Sequence, residues 1–323
     1  MSQSILITGA TGFVGQYLVK ELVKDNCSMS AIIRKAEDKN KLPENVNSFI
    51  VNSLNDTLPS DFLQNQEVII YLAARVHQMN DRTFSSLEAY REINTYAPIS
   101  LAKQGVKNGV KRFIYLSSIK VNGEGTFKTP YREDDKPNPV DPYGQSKWEA
   151  EQELLKLAEK TSLEVVIIRP PLVYGAGVKA NFLQLMKIIS KGLPLPLGGI
   201  NNSRSLVYVG NLVDAIITCI DSPQAQNQTF IVSDGEDLST PELIRCIGKA
   251  MNKTPLLLPI PSSLIKIGTK LLGKGEAGDR LLGSLQVDSG KIRKILNWQP
   301  PYTVDEGIKM TADWFNEMIK NEN

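Results

Sequence analysis

Six short apolar runs, at residues 5–8, 29–34, 48–51, 68–74, 113–118 and 165–169, alternate with segments of helical period through the first half of the chain. The runs are continuous rather than alternating, as in strands covered on both faces, and their alternation with helices predicts a parallel, doubly wound α/β sheet. Between the first two runs, Phe13, Val14, Tyr17, Leu18, Leu22 and Val23 recur at helical spacing and give that segment one buried stripe, which completes a βαβ unit. After Pro170 and Pro171 the pattern loosens into Pro- and Gly-rich stretches such as GLPLPLGG at 192–199, interspersed with shorter helices. That change predicts a second, smaller α/β domain. Residues 1–175 are expected to form the first domain and 176–323 the second. Residues 206–220 read as a strand plus helix of the first-half type, and some of this segment is expected to return to the first domain.

Composition narrows the function classes. The 323 residues are 41% hydrophobic and 22% charged, inside the globular range. Lys plus Arg number 37 against 35 for Asp plus Glu, so the net +2 gives no field that would draw nucleic acid or an anionic membrane. The three cysteines, Cys27, Cys219 and Cys246, form no CxxC pair, which argues against a disulfide framework or a zinc ribbon. His77 is the single histidine, so no His-based metal cluster is expected, and a Ser-His-Asp triad has one candidate base. The first residues carry no secretory pattern, and the expected location is cytoplasmic. The apolar stretch 256–272 is broken by Pro259 and Pro261 and carries Lys266 and Lys270, so it predicts an internal amphipathic helix and no stable membrane insertion.

The glycine motif TGATGFVG at 8–15 follows the first strand and opens the first helix. Gly9 permits the tight turn, Gly12 lets the backbone approach a pyrophosphate, and Gly15 lets the helix pack closely on the sheet, with the helix N-terminus facing the phosphates. This is a Rossmann-type dinucleotide loop, and its GxxGxxG spacing resembles the extended short-chain dehydrogenase/reductases of the NAD-dependent epimerase/dehydratase family. An acidic residue ending the second strand would hold the ribose of NAD, but Arg34 and Lys35 stand there and favour the 2′-phosphate of NADP. Glu37 and Asp38 nearby leave a carboxylate available for NAD. The resemblance further implies cofactor contacts at Thr11, Phe13 and Val14, at Leu72, Ala73 and Ala74 beneath the cofactor, at Asn94 and at Pro170. Ser53 and Leu54 occupy the place where the family usually offers an acidic residue to the adenine.

Asp141 and Pro142 read as the N-cap and first position of a helix on which Tyr143 and Lys147 stand four residues apart on one face. On its own such a pair is an ordinary surface contact. Its place between the fifth and sixth strands of a dinucleotide-binding sheet matches the family's YxxxK helix, where an ammonium favours the tyrosine phenolate. The fifth strand ends in two hydroxyls, and SSIKVNGE at 117–124, laid on the family's serine-rich motif, selects Ser118 to orient the reacting oxygen. The resemblance thus implies a catalytic set of Ser118, Tyr143 and Lys147. Nucleotide-sugar dehydratases of this family carry an Asp-Glu pair after the catalytic hydroxyl. Ile119 and Lys120 stand there instead, so water elimination is not expected.

On the substrate side, RPPLVYG at 169–175 resembles the family's Arg-x-x-Asn-x-Tyr-Gly stretch, with Leu172 in place of the Asn. Asn181 is the expected replacement, Arg204 and Arg280 are candidates for a nucleotide diphosphate, and Arg75, His77 and Lys120 for the sugar. The motifs around residues 73–77 and 117–124 resemble the bacterial branch that acts on UDP-N-acetylhexosamines for surface-polysaccharide synthesis. They imply a UDP-sugar substrate and, by family analogy, a homodimer. The expected reaction is NADPH-dependent reduction of a 4-keto-6-deoxy sugar. The alternatives are a UDP-N-acetylglucosamine (or UDP-glucose) 4-epimerase with tightly bound NAD, and a dinucleotide sensor without chemistry.

Overall fold

The computed structural model describes residues 3–25, 27–76, 87–271 and 275–322. The strands in chain order are β1 (Ser4–Thr8), β2 (Ser28–Ile33), β3 (Val46–Ile50), β4 (Val68–Tyr71), β5 (Arg112–Leu116), β6 (Glu164–Arg169), β7 (Leu172–Tyr174), β8 (Arg204–Tyr208), β9 (Thr229–Ile231) and β10 (Asp237–Leu238). Seven of them form one sheet in the order β3-β2-β1-β4-β5-β6-β9, with every neighbouring pair parallel. The order reverses between β1 and β4, which opens a crevice at the carboxyl ends of these two strands.

Alternate side chains of the strands enter different cores. Ile5, Ile7, Ile70, Ile114, Val166 and Ile168 pack with Leu18 and Leu22 of helix Phe13–Lys24 and with Leu212 and Ile216 of helix Val209–Asp221. Leu6, Ile69, Tyr71, Phe113, Tyr115, Val165 and Ile167 face the opposite way, onto Leu101 of helix Ala97–Lys107 and Ala150 and Leu154 of helix Pro142–Lys160. Both faces are dry, which is why the strands read as unbroken apolar runs.

One sequence expectation, the domain boundary at residue 175, needs correction. The main sheet takes its seventh strand, β9, from beyond residue 175. Within 206–220 only the helical part lies on the main sheet, because β8 pairs instead with β7 and β10 in a separate three-stranded sheet. A buried polar knot holds β8 there. Asp234 accepts from the Tyr208 amide at 2.8 Å, from Asn211 at 2.7 Å and from the Tyr174 hydroxyl at 2.9 Å. The stretch after Pro259 and Pro261 forms helix Ser262–Leu271, and among the described residues no helix is long and apolar enough to cross a membrane.

Candidate functional site

At the β1 exit, Gly9 has φ +70, in the left-handed region where a side chain is strained. A Cβ on it would lie 2.8 Å from the Ala73 amide nitrogen, and one on Gly15 would lie 2.1 Å from the Gly9 carbonyl oxygen. Ala73 in turn donates its amide to the Thr8 hydroxyl at 3.3 Å, so the chain leaving β4 is drawn against the glycine turn. Helix Phe13–Lys24 then starts at Gly12 with no side-chain cap. Its first amides are left for a ligand, and its positive end faces the crevice. A dinucleotide pyrophosphate fits this cradle: the backbone is bare where a phosphate must approach, and the donors have no side chain to serve. Gly177, beyond β7, comes close to the start of this helix, where a Cβ on it would touch the Phe13 ring at 3.7 Å.

The other predicted cofactor positions differ in what surrounds them. Leu72, Ala73 and Ala74 leave β4 beside the glycine turn, and the Pro170 carbonyl accepts from the Ile119 amide at 3.0 Å below the catalytic loop. Arg34 lies one residue beyond β2 and is exposed, with Asp38 close enough to feel its charge. The Ser53 hydroxyl caps a local turn by accepting from the Asn55 amide, and Leu54 packs against the core. Asn94 is fully buried, and its amide spends both donors inside the protein, on the Arg75 carbonyl at 3.1 Å and the Ser146 hydroxyl at 3.0 Å, while accepting from the Arg75 amide at 2.9 Å. It ties the β4 exit to the catalytic helix.

Helix Pro142–Lys160 begins as its sequence dictates: Asp141 accepts from the Gly144 amide at 2.7 Å and proline takes the first helical position. Lys120 donates to both Asp141 and Glu124 and braces this cap. Tyr143 is partly buried, and loss of water pushes its phenol up to about 12, with the Ser118 hydroxyl pulling the other way. Lys147, only 1% exposed, donates to the Leu116 carbonyl at 2.8 Å and stands 4.5 Å over the Tyr115 ring. Burial brings its ammonium down to about 7, against an opposing pull from Glu151. Ser118 begins the short 3₁₀ turn Ile119–Val121, so its hydroxyl sits at the carboxyl edge of the sheet beside the phenol. The three predicted catalytic residues therefore converge.

Tyr143 opens onto a cavity of about 1090 Å³ whose wall includes Tyr90, Glu124, Phe127, Leu282 and Ser284. Tyr90 escaped the sequence reading, because an isolated aromatic on an amphipathic helix looks like core. It packs edge-on against Tyr143, with ring centroids 6.4 Å apart, and the Arg75 guanidinium lies over its ring, 5.9 Å from the centroid. Arg204, at the start of β8, donates to the Gly283 carbonyl on the cavity wall at 2.9 Å. Asn181 is exposed at the start of helix Ala180–Ser190. His77 and the side chain of Arg280 lie outside the described residues.

A dinucleotide cradle with a serine, tyrosine and lysine at its carboxyl edge is an arrangement of the short-chain oxidoreductase type, able to support loss of a hydride from a carbinol carbon and of a proton from its hydroxyl oxygen. The profile of the NAD dependent epimerase/dehydratase family matches residues 5–233, and the chain belongs to that family. Over 98% of its length it is 49% identical to a UDP-glucose 4-epimerase of Vibrio cholerae, 96% of which is covered. It is 27% identical, over 97% of its length and 96% of the relative, to an N-acetyl-α-D-glucosaminyl-diphospho-ditrans,octacis-undecaprenol 4-epimerase of Escherichia coli O157:H7. The fold is shared with UDP-glucose 4-epimerase of Thermotoga maritima, solved with UDP-glucose, at a TM-score of 0.78 and 22% identity over 98% of this chain and 100% of that one. These relatives favour epimerisation over the 4-keto reduction expected from the motifs, and the family's NAD dependence runs against the lean toward NADP drawn from Arg34.

Proposed function

We propose that the protein is a nucleotide-sugar 4-epimerase that interconverts a UDP-hexose and its C4 epimer on retained NAD. The observation that carries this reading is the 49% identity to a UDP-glucose 4-epimerase across nearly both chains. The sugar's 4-hydroxyl sits between Ser118 and Tyr143. Tyr143, as phenolate, takes the hydroxyl proton while the C4 hydrogen leaves as hydride, and Ser118 donates to the oxygen as it becomes a carbonyl. The Lys147 ammonium favours the phenolate, and NAD, held at the Gly9–Gly15 turn and the start of helix Phe13–Lys24, would supply reversible hydride acceptance. After the keto sugar turns over, Tyr143 returns the proton to the oxygen as the hydride comes back on the other face. Nothing is consumed, so no second substrate is needed. Residues 1–175 hold the cofactor in this scheme, and the cavity wall from 176–323, with Arg204, receives the diphosphate end. A cytoplasmic homodimer is the expected setting, checked by light scattering on the purified protein.

The test is incubation with UDP-glucose and no added cofactor, beside a second tube holding a UDP-4-keto-6-deoxy-N-acetylhexosamine and NADPH. UDP-galactose in the first tube and no NADPH oxidation in the second are expected. The reverse pattern would establish the reductase, and silence in both tubes a sensor.

A further inference from the structure

Behind the catalytic edge lies a charged pair that the proton relay does not itself use. Glu151 is fully buried, and Arg169 is 3% exposed. The Arg169 guanidinium grips the Glu151 carboxylate with Nε at 3.0 Å and Nη2 at 2.5 Å, and also donates to the Asn122 side chain at 3.0 Å. Glu151 in addition accepts the hydroxyl of Ser117. Tyr143, Lys147 and Glu151 are spaced i, i+4, i+8 on helix Pro142–Lys160, and hence lie along one face. Two of the three reach the same strand end: Lys147 holds the Leu116 carbonyl and Glu151 holds the Ser117 hydroxyl. The next residue is Ser118.

We infer that Glu151, held by Arg169, is a positioning residue that clamps the end of β5 to the catalytic helix and keeps Lys147 charged, so that Ser118 is aimed and the Tyr143 phenolate is supported. A buried carboxylate is costly unless it is paired, and a hydrophobic pair would have filled the same space at less risk. Its place one helical turn beyond a buried lysine gives the charge a use. The titratable and charged groups around Lys147 are Tyr115 from β5, Tyr143 and Glu151 from its own helix, and Arg169 from β6 acting through Glu151. Of the other charges on elements packed against this helix, Arg91 pairs with Glu149 and Glu88, Lys120 with Asp141, Glu92 with Asn55 and Glu164 with Arg112, while Lys103 and Lys107 are exposed on helix Ala97–Lys107. Glu151 is the carboxylate whose field opposes the desolvation of Lys147.

The kinetic part of the test rests on the epimerase reading, whereas the spectroscopic part needs no substrate. Three variants separate the roles: Glu151→Gln, the neutral pair Glu151→Gln/Arg169→Met, which leaves no orphan guanidinium, and Ser117→Ala, which cuts only the clamp. The Tyr143 phenolate is followed as the ultraviolet difference between each protein and its Tyr143→Phe counterpart across pH. With Glu151 neutral, Lys147 loses its proton at lower pH, so the phenolate band is expected to move to higher pH. In the same variants kcat near pH 7.5 falls by about tenfold per pH unit of that shift, with KM little changed. Ser117→Ala is expected to lower kcat several-fold with the phenolate band in place. A folded Glu151 variant with an unmoved band overturns the electrostatic role, and full kcat in Ser117→Ala overturns the clamp. If the band moves as expected while the parent protein epimerises no UDP-hexose, the functional reading fails and the positioning stands.

Discussion

The carboxyl edge of the main sheet and the wall contributed by the second half of the chain form the two sides of one cleft, but they are built differently. On the sheet side, Asn94, Ser117, Ser146, Lys147, Glu151 and Arg169 are all buried and joined by hydrogen bonds that fix the reacting groups on rigid elements. On the other side, helix Ser262–Leu271 lines the cavity with Ser262, Ser263 and Lys266 and leaves the adjoining Leu264 and Ile267 exposed. A site that moves a proton and a hydride needs its donors preorganised, whereas a wall that accepts one sugar nucleotide among several needs shape more than fixed charge. On the proposed function, chemistry belongs to the rigid side and choice of substrate to the looser one.

The sharpest way to break that division is Tyr143→Phe. It leaves the wall intact and is expected to lower kcat by about a thousandfold, with melting temperature and cofactor content preserved, measured by coupled assay and by absorbance of the purified protein. Retained turnover would move the chemistry elsewhere. Next in size is Gly15→Ala, whose new methyl would meet the Gly9 carbonyl oxygen at 2.1 Å. The helix must draw back from the turn, and the protein is expected to purify without its dinucleotide, which a cofactor-release assay would detect.

A smaller effect concerns stability. Lys147 is brought down to about 7 in the folded protein from an ordinary value near 10.5. Between these values the unfolded chain binds more protons than the folded one, so stability rises with pH across that window, and the full penalty is felt below about 7. Lys147→Met should then abolish activity yet raise the melting temperature at pH 6.5, by about 2–4 °C for each kcal/mol relieved. The gain should shrink as pH approaches 10. An equal gain at both pH values would mean that packing, not charge, is what the lysine costs. The smallest effect is expected at exposed Arg34, where Arg34→Ala should change NAD retention by no more than about threefold. A selective loss of NADPH affinity would restore a 2′-phosphate role.

The same contrast decides how much could be read from the chain. Six strands of the main sheet, the glycine turn and the Ser118, Tyr143 and Lys147 set are encoded locally, by apolar runs and fixed spacings, and they appear in the structure close to where those patterns put them. Three-residue β9 carries no such signal, since Thr229, Phe230 and Ile231 form a strand only because β6 presents an open edge. Apart from Glu124, the partners of Lys120, Asn94 and Glu151 lie 18 to 52 residues away in the chain, and no spacing rule announces them. Tyr90 and the cavity wall are likewise products of tertiary packing. Local code sufficed for the chemistry; the reaction's outcome depends on a cleft assembled from distant segments.

The claim that one hydride leaves and returns to the same sugar on retained NAD is tested most directly with UDP-glucose carrying deuterium at C4, incubated with the purified protein and no added cofactor. The account predicts UDP-galactose that keeps the deuterium at C4, read by mass spectrometry and proton NMR. Product in which the label has washed out, or product formed only when external NADPH is supplied, would contradict it.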